Sequence, residues 1–281
     1  MNQLNPKISI ITINYNDLKG LQKTMQSVFE QTFTDFEYIV IDGGSTDGSA
    51  DYIKQHADRL AYWVSEKDKG VYNAMNKGII QAKGEYCLFL NSGDLLLDAQ
   101  VLLKVSKQLT PEYRIYYGDV VRSYPNGEKT IKNYNTELPF SFFVGSSLAH
   151  QSTFTDRKLF SEIFMYNEEY KIFSDWEFFV CAICKWQIPY KHLGLTIAVY
   201  DMDGISSQPE NMQKFQKEKE LIYKKHFAAF YKDYEELQKY KSSNSAAYNA
   251  FLKIESNPTT NKLNNLFQKV LLKLFFRKNR F

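Results

Sequence analysis

Two apolar, strand-like runs constrain this chain more than any other feature, because each stops at a glycine-bearing polar turn that carries a carboxylate. Phe36-Glu37-Tyr38-Ile39-Val40-Ile41 runs into Asp42-Gly43-Gly44-Ser45-Thr46-Asp47-Gly48, and Glu85-Tyr86-Cys87-Leu88-Phe89-Leu90 runs into Asn91-Ser92-Gly93-Asp94. Runs this apolar suit strands covered on both faces, as in a parallel sheet. Open α/β sheets bind ligands in the crevice outside the carboxyl ends of such strands. The two turns therefore predict a polar ligand site along one sheet edge.

The surrounding periodicity agrees. Residues 8–15 read as a first buried strand, and Leu18 to Gln31 places Leu18, Leu21, Met25, Val28 and Phe29 at helical spacing. Ser45 or Thr46 is suited to cap a helix through Tyr52, Ile53 and Ala57, and Leu60 to Val64 is a short strand. Val71 to Ala82 is a third helix, stopped by Gly84. Such alternation predicts parallel strands joined by right-handed crossovers. After Asp94 it breaks down: a helix from Asp98 to Leu109, a strand from Ile115 to Val121, and a hairpin at Pro125-Asn126-Gly127. A loop-rich stretch at 135–160, a helix within Lys171–Lys185, a strand from Tyr190 to Tyr200 and a charged helix from Glu210 to Lys241 come next. Ser/Asn-rich patches at 242–245 and 256–261 read as hinges.

The site needs a way to hold its ligand. Neither a glycine-rich dinucleotide turn nor a Walker loop succeeds the first strand, where the residues are Asn14-Tyr15-Asn16-Asp17. Any bound phosphates must then be neutralised otherwise, and a divalent cation held by carboxylate is the remaining option. Asp94 stands where such an ion is useful, or else caps a helix at Leu95-Leu96-Leu97. Cys181 and Cys184 are spaced like metal ligands, but they lie in an apolar run without a second pair and read as buried thiols.

These residues resemble family 2 glycosyltransferases. The resemblance is carried by Ile13-Asn14-Tyr15-Asn16, Ser27-Val28-Phe29-Glu30-Gln31-Thr32-Phe33 and Glu37 through Gly48. It continues in Asp68-Lys69-Gly70-Val71-Tyr72-Asn73-Ala74-Met75-Asn76-Lys77-Gly78, in Ala82-Lys83-Gly84-Glu85-Tyr86, and in Phe89 through Asp94. It is dense over residues 7–98, thinner to about 200, and fades after 205. It implies a GT-A fold: a Rossmann-like, mostly parallel sheet with helices on both faces, here with a C-terminal helical extension. The implied domains are 1–205, split into a nucleotide-sugar half (1–98) and an acceptor half (99–205), and then 206–281.

The resemblance also implies inverting transfer of a hexosyl group from a nucleotide-diphosphate donor, UDP-sugar by family weight, with manganese or magnesium. Tyr15, Asp42 and Asp68 match nucleotide-binding positions. The family's metal motif carries two or three carboxylates, whereas Asn91-Ser92-Gly93-Asp94 keeps only Asp94. Its late acidic pair, which provides the general base, becomes Ser174-Asp175, so Asp175 is the base and Glu177 the fallback; a helix-capping role for Asp175 stays open. His150, Gln151, Asn91 and Trp176 fall on the diphosphate or acceptor side, with a purely structural role open for His150. The expected acceptor is a glycan or lipid-linked glycan of a bacterial surface polysaccharide. A nucleotidyltransferase and an inactive binding protein on the same fold are the alternatives.

The tail adds a location. Residues 261–281 hold six basic residues and no acid against a net charge of +3, so the remainder sums to −3. No nucleic-acid partner is expected. Leu263, Leu266, Phe267, Val270, Leu271, Leu274 and Phe275 form one helical stripe beside Lys262, Lys269 and Lys273. A helix over 263–276 extends roughly 21 Å, short of a hydrocarbon core of about 30 Å. An apolar stripe with a basic flank fits an anionic membrane surface, or packing on the chain itself or a partner. With no signal segment or spanning run, the chain is expected in the cytoplasm, peripheral on the inner face of the cell membrane.

Overall fold

The computed structural model describes residues 5–202, 212–243 and 245–275. Its first half alternates as expected: β1 (Ile8–Asn14), α1 (Leu18–Phe29), β2 (Phe36–Asp42), α2 (Ser49–Gln55), β3 (Tyr62–Ser65), α3 (Val71–Gln81) and β4 (Tyr86–Phe89). The strands lie in the order β3-β2-β1-β4, all parallel, with Asn14 opposite Asp42 and Asp42 opposite Ser65. β1 to β2 and β2 to β3 step one way and β3 to β4 returns. Right-handed crossovers therefore put α1 and α2 on one face and α3 on the other. Ile8, Ile10, Ile11, Ile39, Val40, Ile41 and Leu88 are wholly buried. Each such side chain contributes about 1.5–3 kcal/mol relative to exposure.

Antiparallel pairing enters with the second half. It comprises β5 (Leu95–Leu96), α4 (Val101–Ser106), β6 (Ile115–Ser123), β7 (Lys129–Lys132), α5 (Phe140–Gly145), β8 (Thr153–Asp156), α6 (Leu159–Glu162), α7 (Ser174–Val180) and β9 (Tyr190–Asp201). A π-helical turn, Cys181–Lys185, continues α7. The sheet extends as β4-β8-β6-β9-β5, with β7 on β6. β8 runs antiparallel to both β4 and β6, β9 runs parallel to β6, and β5 pairs antiparallel with β9. This last pairing matters most, because it lays the end of β9 beside Asp94.

Several local expectations differ; the stretch 135–160, read as loop-rich, holds α5, β8 and the start of α6. The helix expected from Asp98 to Leu109 is shorter, because Leu95 and Leu96 pair with Val199 and Ala198 and hold the chain extended first. Neither Ser45 nor Thr46 caps α2. Ser45 turns back to Asp42, and Asp47 Oδ1 instead accepts from Ser49 N (3.1 Å) and Ser49 Oγ (2.6 Å).

The chain divides into two compact units, residues 1–220 and 221–281. The division expected at 205 lies outside the described residues. α8 (Met212–Ser243) begins in the first unit, where Glu218 accepts from the backbone of Lys171, Ile172 and Phe173. α9 (Ser245–Ser256) and α10 (Pro258–Phe275) complete the described chain. Asn257 Oδ1 caps α10 by accepting from Thr259 N at 3.0 Å, with Pro258 at the start of the helix. On α10, Leu263, Leu266 and Phe267 are each more than 60% exposed. Phe276, Arg277, Lys278, Arg280 and Phe281 lie outside the described residues. No helix among the described residues is long and apolar enough to cross a membrane.

Candidate active site

A cavity of about 1050 Å³ opens along the carboxyl ends of β1, β2 and β4 and continues over β6, β7 and β9. Tyr15, Asp68, Asn91, Asp94, His150, Gln151, Asp175 and Trp176 all line it. Asp42 does not. Its carboxylate is fully buried and accepts four hydrogen bonds: Asn14 Nδ2 (2.7 Å) and Ser45 Oγ (2.6 Å) at Oδ1, Ser45 N (2.9 Å) and Ser65 Oγ (2.5 Å) at Oδ2. A carboxylate has about four acceptor sites, so none remains for a nucleotide base. Burial alone would raise its pKa, but the bonds from Ser45, Ser65 and Asn14 outweigh that and hold it below the usual range. In this arrangement the Asp42 carboxylate is spent on shaping the turn.

Asp68 takes the exposed place. Gly43 has no side chain, and a Cβ built there would meet Asp68 Oδ2 at 2.5 Å and Tyr15 Cδ2 at 3.1 Å. The Asp68 carboxylate and the Tyr15 ring therefore converge over bare backbone. Tyr15 is 66% exposed although it lines a cavity, as a ring awaiting a stacking partner would be.

Gly93, between the cavity-lining residues Ser92 and Asp94, repeats this arrangement. Its φ is +96°, a conformation that favours glycine, and a Cβ there would lie 3.2 Å from Asp201 Oδ2. Asp201, at the end of β9, also donates its N–H to Asp94 Oδ1 at 3.2 Å. Asp94 is buried and accepts from Asn91 N as well. Burial pushes its carboxyl up to about 7, against lowering by the nearby His150 and hydrogen bonds from Asp201 and Gln151. The sequence motif lost a carboxylate at Gly93, and the tertiary structure returns one from Asp201. No cluster of three or more His, Cys, Asp or Glu occurs among the described residues. Two carboxylates nonetheless fit magnesium or manganese, which complete their shells with substrate phosphates and water.

Asp175 stands in the first turn of α7 with both oxygens held. Tyr72 Oη, a single-proton donor, lies between the Ile172 carbonyl and Asp175 Oδ1, the latter at 2.9 Å. His150 Nδ1 lies 3.1 Å from Oδ2. Burial and the Asp175 charge raise the Tyr72 pKa well above its ordinary value, so it stays a neutral donor. Tyr72, Asn73 and Asn76 share one face of α3. Asn73 and Asn76 hold Glu168, and Asn76 also bonds the backbone of Tyr166, which fixes the segment leading into α7. From the other side, Lys219 donates to the Val144 carbonyl and lies 5.1 Å from the Trp176 ring.

Glu177 is fully buried and does not line the cavity. Trp176 is 1% exposed, and its indole donates to Phe143 O at 2.8 Å, so it braces the wall. His150 Nε2 and Asn91 Oδ1, both on cavity residues, are buried without a hydrogen-bond partner. Buried polar atoms are normally paired, so these two are candidates for a ligand's hydrogen bonds. Sequence reasoning missed Tyr72 as a partner of Asp175, and missed Asp201, Glu218 and Lys219. The Tyr72-Asn73-Asn76 spacing was a readable signal; the others had none.

Residues 9–175 match the family described as Glycosyl transferase family 2. An uncharacterized glycosyltransferase of Mycobacterium tuberculosis is 33% identical over 215 residues, covering 73% of this chain and 79% of that protein. A PGL/p-HBAD biosynthesis glycosyltransferase of Mycobacterium bovis is 30% identical, covering 71% and 78%. Among solved structures, S. aureus TarS 1-349 superposes with a TM-score of 0.60 at 19% identity, covering 79% of this chain and 66% of that one. The chain spans 36% of the longer TarS chain. The mannosyltransferase PcManGT from Pyrobaculum calidifontis, in complex with GDP-Man and Mn2+, gives 0.59 at 15% identity, covering 98% and 83%. At these identities the structural likeness establishes the fold, which is GT-A.

Proposed function

This chain belongs to glycosyl transferase family 2, and from that premise we propose that it transfers a hexose, with inversion, from a UDP-sugar to a glycan or lipid-linked glycan. The observation that carries the reading is the Asp175 carboxylate, held on the cavity wall by Tyr72 and His150. The UDP complexes of TarS and the GDP-Man and Mn2+ complex of PcManGT are consistent with it.

Tyr15 stacks on the base and Asp68 accepts from its ring N–H, above the bare backbone of Gly43. Asp94 and Asp201 would hold a magnesium or manganese ion. When bound, the ion offsets the charge that develops on the departing diphosphate. The acceptor hydroxyl oxygen attacks the anomeric carbon from the side opposite the diphosphate. The new C–O bond forms as the bond to the diphosphate breaks, and the leaving oxygen keeps the electron pair. The hydroxyl proton passes to Asp175. Tyr72 and His150 fix that carboxylate.

The product is a linkage in a bacterial surface polysaccharide. α10 holds the chain peripherally on the inner membrane face, through exposed Leu263, Leu266 and Phe267 beside exposed Lys262 and Lys269. Thermal-shift titration with nucleoside diphosphates, with and without manganese, tests the donor reading. UDP at a hundred times its Kd should add about 2.7 kcal/mol of stability. Stabilisation by none of the diphosphates would refute it.

A further inference from the structure

The cavity wall formed by β6, β7 and β9 carries two cations that the proposed chemistry does not use. In sheet register, Arg122 on β6 stands between Thr130 on β7 and Tyr200 on β9, and Val120 stands between Lys132 and Ala198. Directly paired residues share a face, as do residues two apart along one strand. Arg122, Lys132 and Tyr200 therefore project together, and all three line the cavity.

Their environments differ. Lys132 Nζ donates to Ser146 Oγ and to the Ser147 carbonyl, both at 2.8 Å, and lies 4.5 Å from the Tyr134 ring centroid. The half-buried Arg122 guanidinium has no hydrogen-bond or ion-pair partner among the described residues. The nearby carboxylate of Asp119 is engaged elsewhere, with His192 Nε2 at 3.0 Å and Tyr134 N at 2.9 Å. Burial, reinforced by repulsion from Arg122, pushes the Lys132 ammonium down to about 8. Two adjacent, partly desolvated cations on a cavity wall disfavour one another until an anion joins them. The planar fork of arginine matches a carboxylate or phosphate through two parallel hydrogen bonds.

The sheet register sets the Arg122 backbone two strands away from Asp94. Asp94 adjoins Leu95, which pairs with Val199, so the Asp94, Tyr200 and Arg122 backbones lie on three successive strands. Two strand spacings amount to roughly 10 Å. Lys132 also holds the 146–147 backbone just ahead of His150, which in turn contacts Asp175. We infer that the acceptor carries an oxyanion, phosphate or carboxylate, received by Arg122 and Lys132. This rests on the transferase reading above and adds the chemical class of the acceptor.

The test is calorimetric titration of the full chain, saturated with UDP and manganese, using three probes: methyl glucoside, methyl glucuronoside and glucose 1-phosphate. At least one charged probe should bind about tenfold or more tighter than the neutral one. A preference for glucose 1-phosphate identifies a phosphate-linked acceptor, and a preference for the glucuronoside an acidic glycan. Arg122→Gln should remove most of that preference and leave the UDP Kd unchanged, with Arg122→Lys retaining part of it. Equal affinity for all three probes, or binding of none, would overturn the inference while UDP binding leaves the transferase reading standing. Loss of UDP affinity in Arg122→Gln would also overturn it, by making Arg122 a clamp on the donor. Failure of the wild type to bind UDP at all removes the transferase reading and this one with it.

Discussion

Replacing Asp42 and Asp68 one at a time should separate stability from binding. In Asp42→Asn, an NH2 group replaces one oxygen of a carboxylate whose four bonds come from Asn14, Ser45 and Ser65. The serine hydroxyls can rotate to accept, but Ser45 N cannot. Asn14 can reverse only by giving up the bond its Oδ1 accepts from Ser92 Oγ at 2.8 Å. One or two bonds to a charged group are therefore lost, at about 1.5–3 kcal/mol each. A net loss of about 2–4 kcal/mol lowers the thermal midpoint by roughly 3–7 °C in a chain of this size. The Asp42 pKa is depressed in the folded state, so its contribution is present above the unfolded value of about 3.9. It fades as pH falls through the folded value, and the gap between wild type and variant should narrow in acid. Asp68→Ala should instead weaken UDP binding roughly tenfold or more, with little change in the midpoint. Circular dichroism melts and UDP calorimetry read both quantities. An Asp42→Asn protein of normal stability that no longer binds UDP would put Asp42 on the base and refute this assignment.

Asp175→Asn should cut turnover on the order of 100-fold or more, and Tyr72→Phe by about tenfold, both with UDP affinity kept; a dead Glu177→Gln beside an active Asp175→Asn would move the base. Asp94→Ala and Asp201→Asn should each reduce the manganese-dependent tightening of UDP binding, measured by calorimetry with and without chelator. Tightening left intact in Asp201→Asn would remove that residue from the ion. Deleting 262–281 should release the protein from anionic vesicles in flotation assays and spare transfer to a soluble acceptor. Salt at 1 M, where screening shortens to about 3 Å, should weaken vesicle binding by the intact chain; unfolding of the truncated chain would make α10 a packing element.

Local pattern was enough for the parallel half of the fold and for the β6–β7 hairpin. The apolar runs ending at Asp42 and Leu90, the helical spacing of Leu21, Met25 and Val28, and the hairpin at Asn126-Gly127 all appear where neighbouring residues require them. Such signals depend on contacts within a turn or between adjacent strands, so they survive in the linear chain. Asp94 was visible for the same reason, at the end of an apolar run, whereas Tyr15 and Asp175 were visible only through the family resemblance.

What the sequence determined by itself was therefore the elements of the parallel half and the edge where they present polar groups. Which carboxylates serve that edge was decided only by the tertiary structure. Asp42 looked like a ligand contact until Asn14, Ser45 and Ser65 closed around it. Gly43 and Gly93 looked like losses until folding brought Asp68 and Asp201 against their bare backbones. Arg122 and Lys132 became neighbours through strand register. Residues far apart in the chain meet only through strand pairing and loop closure, and the spacing of residues along the chain carries no signal for either.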